Sequence, residues 1–161
     1  MRQTSTQTFD RRSVLGLAVG GAAGAMFVTS TQPAAAAGTA YKASLDGKSE
    51  VPPTTSGGTG SATVTYDAAT KTVTWEGQFS GLSGPATAAH IHGPAEAGKN
   101  AGVIVPLSQQ GTPFTSPFKG SAKLADDKAA ALSAALSSGQ AYVNVHTAAN
   151  PGGEIRGQLK G

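Results

Sequence analysis

The run Lys71–Ser80 alternates: Val73, Trp75 and Phe79 fall on one side of an extended chain, and Thr72, Thr74, Glu76 and Gln78 on the other. A period of two carried by β-branched and aromatic residues predicts a strand with one buried face. Ser61–Tyr66, joined to it by Asp67-Ala68-Ala69-Thr70, predicts its hairpin partner. Shorter apolar runs predict strands over Tyr41–Leu45, Ala86–His92 and Val103–Leu107, within Phe114–Leu124, and over Ala141–Thr147 and Glu154–Leu159. Between them stand Glu50-Val51-Pro52-Pro53, the polar Thr54–Gly60, Gly81–Pro85, Gly93-Pro94, Ala95–Gly102 and Asn150-Pro151-Gly152-Gly153, all of which interrupt regular pairing. Only Asp126–Ser137 reads as a helix. Its two aspartates favour an N-terminal end, alanines and leucines fill it, and Gly139 stops it. The sum predicts an all-β fold of about eight strands plus one short helix, an antiparallel Greek-key sandwich or flattened barrel.

Ahead of this pattern the chain changes character. Phe9-Asp10-Arg11-Arg12-Ser13-Val14-Leu15 leads into a Gly/Ala-rich apolar run from Val14 to Val28, followed by Pro33 and Ala34–Ala37. Paired arginines, a weakly apolar run and an Ala-x-Ala end predict a twin-arginine signal peptide over residues 1–37, cleaved between Ala36 and Gly38. The apolar run is shorter than the ~20 residues that span a bilayer, so no stable membrane span is expected after cleavage. The expected mature domain, 38–161, would work in the periplasm or be secreted.

The export signal changes the meaning of the charge. Of 12 Lys/Arg and 9 Asp/Glu, Arg2, Arg11, Arg12 and Asp10 belong to the leader, which leaves the mature chain nearly neutral. No basic stripe or aromatic platform remains to bind nucleic acid. The absence of cysteine excludes disulfides, thiolate metal sites and thiol nucleophiles. Neither a Gly-x-Ser-x-Gly elbow nor a phosphate-binding Gly-x-x-x-x-Gly-Lys-Ser/Thr loop is present.

All 3 histidines fall in two predicted strands, as His90-Ile91-His92 and Val143-Asn144-Val145-His146. Residues i and i+2 of a strand share a side, about 6.6 Å apart. If Ile91, Val143 and Val145 face the core, all three imidazoles lie on the outer face. A symmetric last hairpin would set His146 opposite Glu154, Asn144 opposite Arg156 and Tyr142 opposite Gln158. Glu154 would then accept a hydrogen bond from His146 and fix its tautomer. Three neutral imidazoles can ligate copper or zinc; equally, they can hydrogen-bond backbone and loop groups and simply hold the strands. Glu154 with Arg156 reads as a structural charged pair, Glu50 as a turn residue, and Trp75, Phe79 and Tyr66 as core or half-core.

Leu45–Pro53 (LDGKSEVPP), Ala88–Pro94 (AAHIHGP) and Tyr142–Leu159 (YVNVHTAANPGGEIRGQL) resemble the CHRD domain, named for chordin and found in many secreted microbial proteins. The resemblance implies an immunoglobulin-like β-barrel, distantly similar to copper/zinc superoxide dismutases, with no defined molecular role. Those enzymes carry a His-x-His pair on one strand and a further copper-binding histidine on a later one. By resemblance, the matching metal positions are His90, His92 and His146; the hairpin register sets Glu154, Asn144 and Arg156 behind them. This chain lacks a bridging histidine, a zinc cluster and a disulfide, and Arg156 is only a loose stand-in for a superoxide-guiding arginine. The expectation is therefore a non-enzymatic binding or interaction module, with copper or zinc as its candidate cofactor and a protein or envelope component as its candidate partner. A metal-dependent, dismutase-like enzyme and a purely structural envelope or matrix protein are the alternatives.

Overall fold

The strands are β1 (Thr39–Asp46), β2 (Thr59–Asp67), β3 (Thr72–Ser80), β4 (Ala86–His92), β5 (Val103–Pro106), β6 (Phe118–Lys123), β7 (Tyr142–Thr147) and β8 (Ile155–Gln158), with the helix α1 (Asp126–Ser137) between β6 and β7. They come from a computed structural model that describes residues 38–109 and 111–161; the expected signal peptide lies outside the described residues. All eight strands join one antiparallel sheet in the order β5-β4-β7-β8-β1-β2-β3-β6. Of the two expected forms, the flattened barrel is the one adopted: a single sheet curls into a half-barrel around the core.

The alternation read from sequence decides which side faces that core. Ile91, Val143, Val145 and Ile155 are fully buried inside it, with Leu45, Val64 and Val73 from the other half of the sheet. Helix α1 adds Ala129, Leu132, Ala135 and Leu136 to the same cluster. Asp126 and Asp127 favour its first turn, and Asp126 also binds Lys71 Nζ at 2.8 Å, an exposed pair that adds little. Phe79, Phe114 and Phe118 pack edge-on or tilted, with centroids 5.3–6.0 Å apart. Trp75 lies over Gly120, where a Cβ would strike its ring, and donates Nε1–H to Leu107 O at 3.1 Å.

Two features join β8 to β1. Asp46 pairs with Arg156, and the Gly157 Cα meets the Ser44 carbonyl so closely that no side chain fits there. Just beyond, Asp46 caps a 3-10 turn, Gly47–Ser49, that the sequence reading does not anticipate; its Oδ1 accepts from Ser49 N at 2.8 Å. The turn delivers Glu50 to the outer face. Among the described residues, no helix is long and apolar enough to cross a membrane.

Candidate functional site

Strand β7 is buried on both sides: all six of its residues, Tyr142–Thr147, are shielded from solvent. Its inner side is apolar. On its outer side stand Tyr142, Asn144 and His146, beside His90 and His92 of β4, as the alternation predicts. The β4–β7 register sets His90 opposite Asn144 and His92 opposite Tyr142, which brings the three imidazoles to one spot. One nitrogen from each ring lies within 4.8 Å of the others. His92 and His146 are each only 8% exposed, while His90 is half-buried and borders solvent.

Outward therefore does not mean exposed. The loop between β4 and β5 folds back over this face and is held there by its own backbone. Ala101 O accepts from His92 Nδ1–H at 2.9 Å, Ala101 N–H donates to the Tyr142 hydroxyl at 3.2 Å, and Ala95 O accepts from Gln158 at 3.1 Å. Asn100 reaches across to Val51 O at 2.9 Å. From the other end, Pro151 O in the β7–β8 turn accepts from His146 Nδ1–H at 2.9 Å.

These two carbonyls fix the chemistry of the rings. A carbonyl oxygen can only accept, so Nδ1 carries the proton in both His92 and His146, and each Nε2 is left with a lone pair. Both Nε2 atoms point at Asn144 Oδ1, at 3.1 and 3.0 Å, and His146 Nε2 lies 3.0 Å from His90 Nδ1. Burial, with the other two imidazoles nearby, holds His90 down at about 4. Burial also lowers His92 and His146, against the opposing pull of their carbonyl partners. All three rings are neutral near pH 7.

A stack extends from the cluster. The His92 and Tyr142 rings are parallel within 4°, with centroids 4.9 Å apart, and the Arg156 guanidinium lies 3.4 Å above the far face of Tyr142. Arg156 is completed by Asn100 Oδ1, Glu96 O and Gln158 Oε1. Asn144 turns its amide nitrogen the other way, toward Glu50, and both crowd the space that a side chain on Gly153 would need.

Two expectations need correction. Glu154 does not touch His146. The β7–β8 pairs run as predicted from Tyr142–Gln158 to Val145–Ile155 but stop there, and Gly153, with φ 129°, turns the chain before β8 begins. The Glu154 carboxylate instead accepts from Ser56 Oγ, Ser83 N and Oγ, Thr147 Oγ1 and Asn150 Nδ2. Burial works to raise it, but the Ser56, Ser83 and Thr147 donors outweigh burial and set it at about 2. Glu154 and Arg156 are accordingly not a charged pair. Glu50 is the turn residue expected, its N–H bonded to Gly47 O at 3.3 Å, but its side chain is buried: it is 4% exposed, its Oε1 has no partner, and burial lifts its carboxyl to about 7 despite Arg156 nearby. Its one sequence signal is an acid set against Val51 within a Ser/Gly/Pro segment.

No curated protein and no solved structure gives a significant match to this chain. The family model of the CHRD domain matches residues 41–159, which hold every residue of the cluster, so the chain belongs to the CHRD domain family.

Proposed function

We propose that this protein is an exported binding module that holds one copper or zinc ion through His90, His92 and His146. The observation that carries this reading is the convergence of lone pairs. Two buried imidazoles commit their Nδ1 protons to backbone carbonyls and aim both Nε2 atoms at the same amide oxygen. A third ring nitrogen, His90 Nδ1, lies 3.0 Å from His146 Nε2, and a cation among the three rings would take the place of the proton shared there. Carbonyl-anchored histidines are also the usual outer support of metal-ligating imidazoles, because the anchor fixes tautomer and orientation. Metal–nitrogen bonds of about 2.0–2.1 Å put ligand nitrogens roughly 3.3–3.6 Å apart, and the three rings need only small rotations to reach that spacing. In this reading Asn144 and Arg156 stand behind the three ligands, and Glu154, bound elsewhere, does not.

Calorimetric titration with copper(II) and zinc(II), with metal content measured after desalting, tests the reading. One ion per chain, lost on replacing His92 and His146 by Gln, is the expected result. Absence of binding heat and of bound metal would overturn it. Export through the twin-arginine route is part of the same proposal and accords with a family found in secreted proteins. Its test is loss of the processed protein from the periplasm when Arg11 and Arg12 are replaced by Lys.

One observation favours a second, purely structural reading: the same carbonyl bonds pin the β4–β5 loop and the β7–β8 turn to the sheet. That reading requires the Gln variants to lose stability in metal-free protein while wild type gains none from metal.

A further inference from the structure

We infer that the histidine cluster selects monovalent copper over zinc(II) and copper(II), a conclusion that rests on the metal-binding reading above. Its basis is the charge and number of the donors. Every group facing the ion is neutral: three imidazoles and the Asn144 amide oxygen. Of the buried carboxylates, Glu154 belongs to a separate network of hydroxyl and amide donors, and Glu50 stands behind Asn144 in the field of Arg156. A fixed positive charge stands close by. Arg156 is 1% exposed, and only the Tyr142 ring separates its guanidinium from His92. Each positive charge placed in this acceptor cluster is deprived of water and faces no negative partner.

A dication suffers from this more than a monocation. One extra unit of charge, a single aromatic ring away from the guanidinium, costs on the order of 30-fold in affinity at an effective dielectric near 20. Coordination number points the same way. Zinc needs a fourth ligand, a protein donor in closed sites or a water in three-histidine sites, and copper(II) prefers a tetragonal set of nitrogen and oxygen ligands. The filled-shell copper(I) ion is content with three imidazoles. Here the two anchored rings are held by Ala101 O and Pro151 O, and His90 is the least buried of the three.

The test uses the purified protein under anaerobic conditions. Copper(I) affinity is measured by competition with excess bicinchoninate, zinc(II) affinity with a chromophoric zinc chelator, and copper(II) affinity with glycine. Copper(I) is expected to bind at least ~30-fold more tightly than zinc(II). Each tenfold preference for copper(I) over copper(II) raises the potential of the bound couple by 59 mV above that of the free ions. Asn144→Asp places one negative charge against the two anchored rings with little change of shape. It should narrow the copper(I)-to-zinc(II) ratio by about 30-fold or more, because the new charge lies nearer the ion than Arg156 does, with Asn144→Ser as the neutral control. Zinc(II) binding as tightly as copper(I), or a ratio unmoved by N144D in protein that remains folded by circular dichroism, overturns the selectivity while leaving a metal site. Binding of none of the three ions sinks the metal reading itself.

Discussion

Replacing Glu154 by Gln removes one charge from a site that is 0% exposed and has no cationic partner, only neutral donors. Ser56 Oγ and Ser83 N approach one carboxylate oxygen at 2.6 and 2.7 Å; Ser83 Oγ, Thr147 Oγ1 and Asn150 Nδ2 approach the other at 2.6, 2.5 and 3.1 Å. These donors come from the β1–β2 loop, the β3–β4 turn and the β7–β8 hairpin, so one anion ties three connections at one end of the half-barrel. Its carboxyl sits at about 2, against 4.5 for the free group. A group held below its unfolded value contributes stability that is fully present above about 4.5 and is lost as pH falls through about 2. At 1.36 kcal/mol per unit, the contribution is roughly 3 kcal/mol at neutral pH. A glutamine keeps the shape but turns an amine toward donors, and Ser83 N–H cannot reverse its role. In metal-free protein, E154Q should therefore lower stability at pH 7 by about 3 kcal/mol, or roughly 10 °C in Tm for a domain of this size. The two proteins should converge as pH approaches 2. Urea unfolding followed by tryptophan fluorescence at pH 7, 5, 4 and 3 reads both effects. A difference below about 1 kcal/mol at pH 7, or one that does not shrink in acid, would refute the account of Glu154 as a buried anion held by neutral donors.

Glu50 should behave in the opposite sense: its carboxyl is raised to about 7, so the ionised form costs stability as pH rises from 4.5 through 7. E50Q should leave metal-free protein unchanged at pH 4.5 and stabilise it at pH 8 by up to about 3 kcal/mol, measured in the same urea series. Gly157→Ala forces a Cβ into the Ser44 carbonyl at the β1–β8 contact and should cost about 3 kcal/mol or more, read as a fall in the urea midpoint. Tyr142→Leu removes the ring between His92 and Arg156 and two hydroxyl contacts with Ala101. It should destabilise by about 2–4 kcal/mol and speed hydrogen exchange in the β4–β5 loop, which mass spectrometry can follow. His90→Gln should weaken metal binding less than His146→Gln, because His90 has no carbonyl anchor and borders solvent; a reversed order in calorimetry would contradict that ranking.

The elements that the sequence reading places well are those decided locally. Ala86–His92 and Asp126–Ser137 coincide with the observed strand and helix, because turn residues and helix-stopping Gly139 mark their ends. Alternation about Ile91, Val143 and Val145 was enough to bring His90, His92 and His146 together, and the Asn144–Arg156 and Tyr142–Gln158 pairs followed from the hairpin. The misplaced residues depend on contacts far apart in the chain. Glu154 lies one residue before β8, where the left-handed Gly153 turns the chain away from the expected ladder. Its partners Ser56 and Ser83 lie 98 and 71 residues away, beyond any local pattern. Glu50 is buried because the β4–β5 loop folds across the sheet and ties Asn100 to Val51, a closure that nothing in the spacing of the first strand encodes.

That closure gives the sheet two cores of opposite character. The inner one is apolar and needs no partners. The outer one, around β7, is polar, and buried polar atoms are tolerated only where they are hydrogen-bonded. Most of them are: the Nδ1 protons of His92 and His146, the Tyr142 hydroxyl and the Arg156 guanidinium all find acceptors or donors. The exceptions lie on the two sides of one residue. Before Asn144 the Nε2 lone pairs of His92 and His146 face its oxygen; behind it Glu50 Oε1 has no donor. The donors nearest to them are the Asn144 amide nitrogen, turned toward Glu50, and His90 Nδ1, 3.0 Å from His146 Nε2. The outer core thus gathers its ring nitrogens at one point, where His90, His92 and His146 come within 4.8 Å of one another.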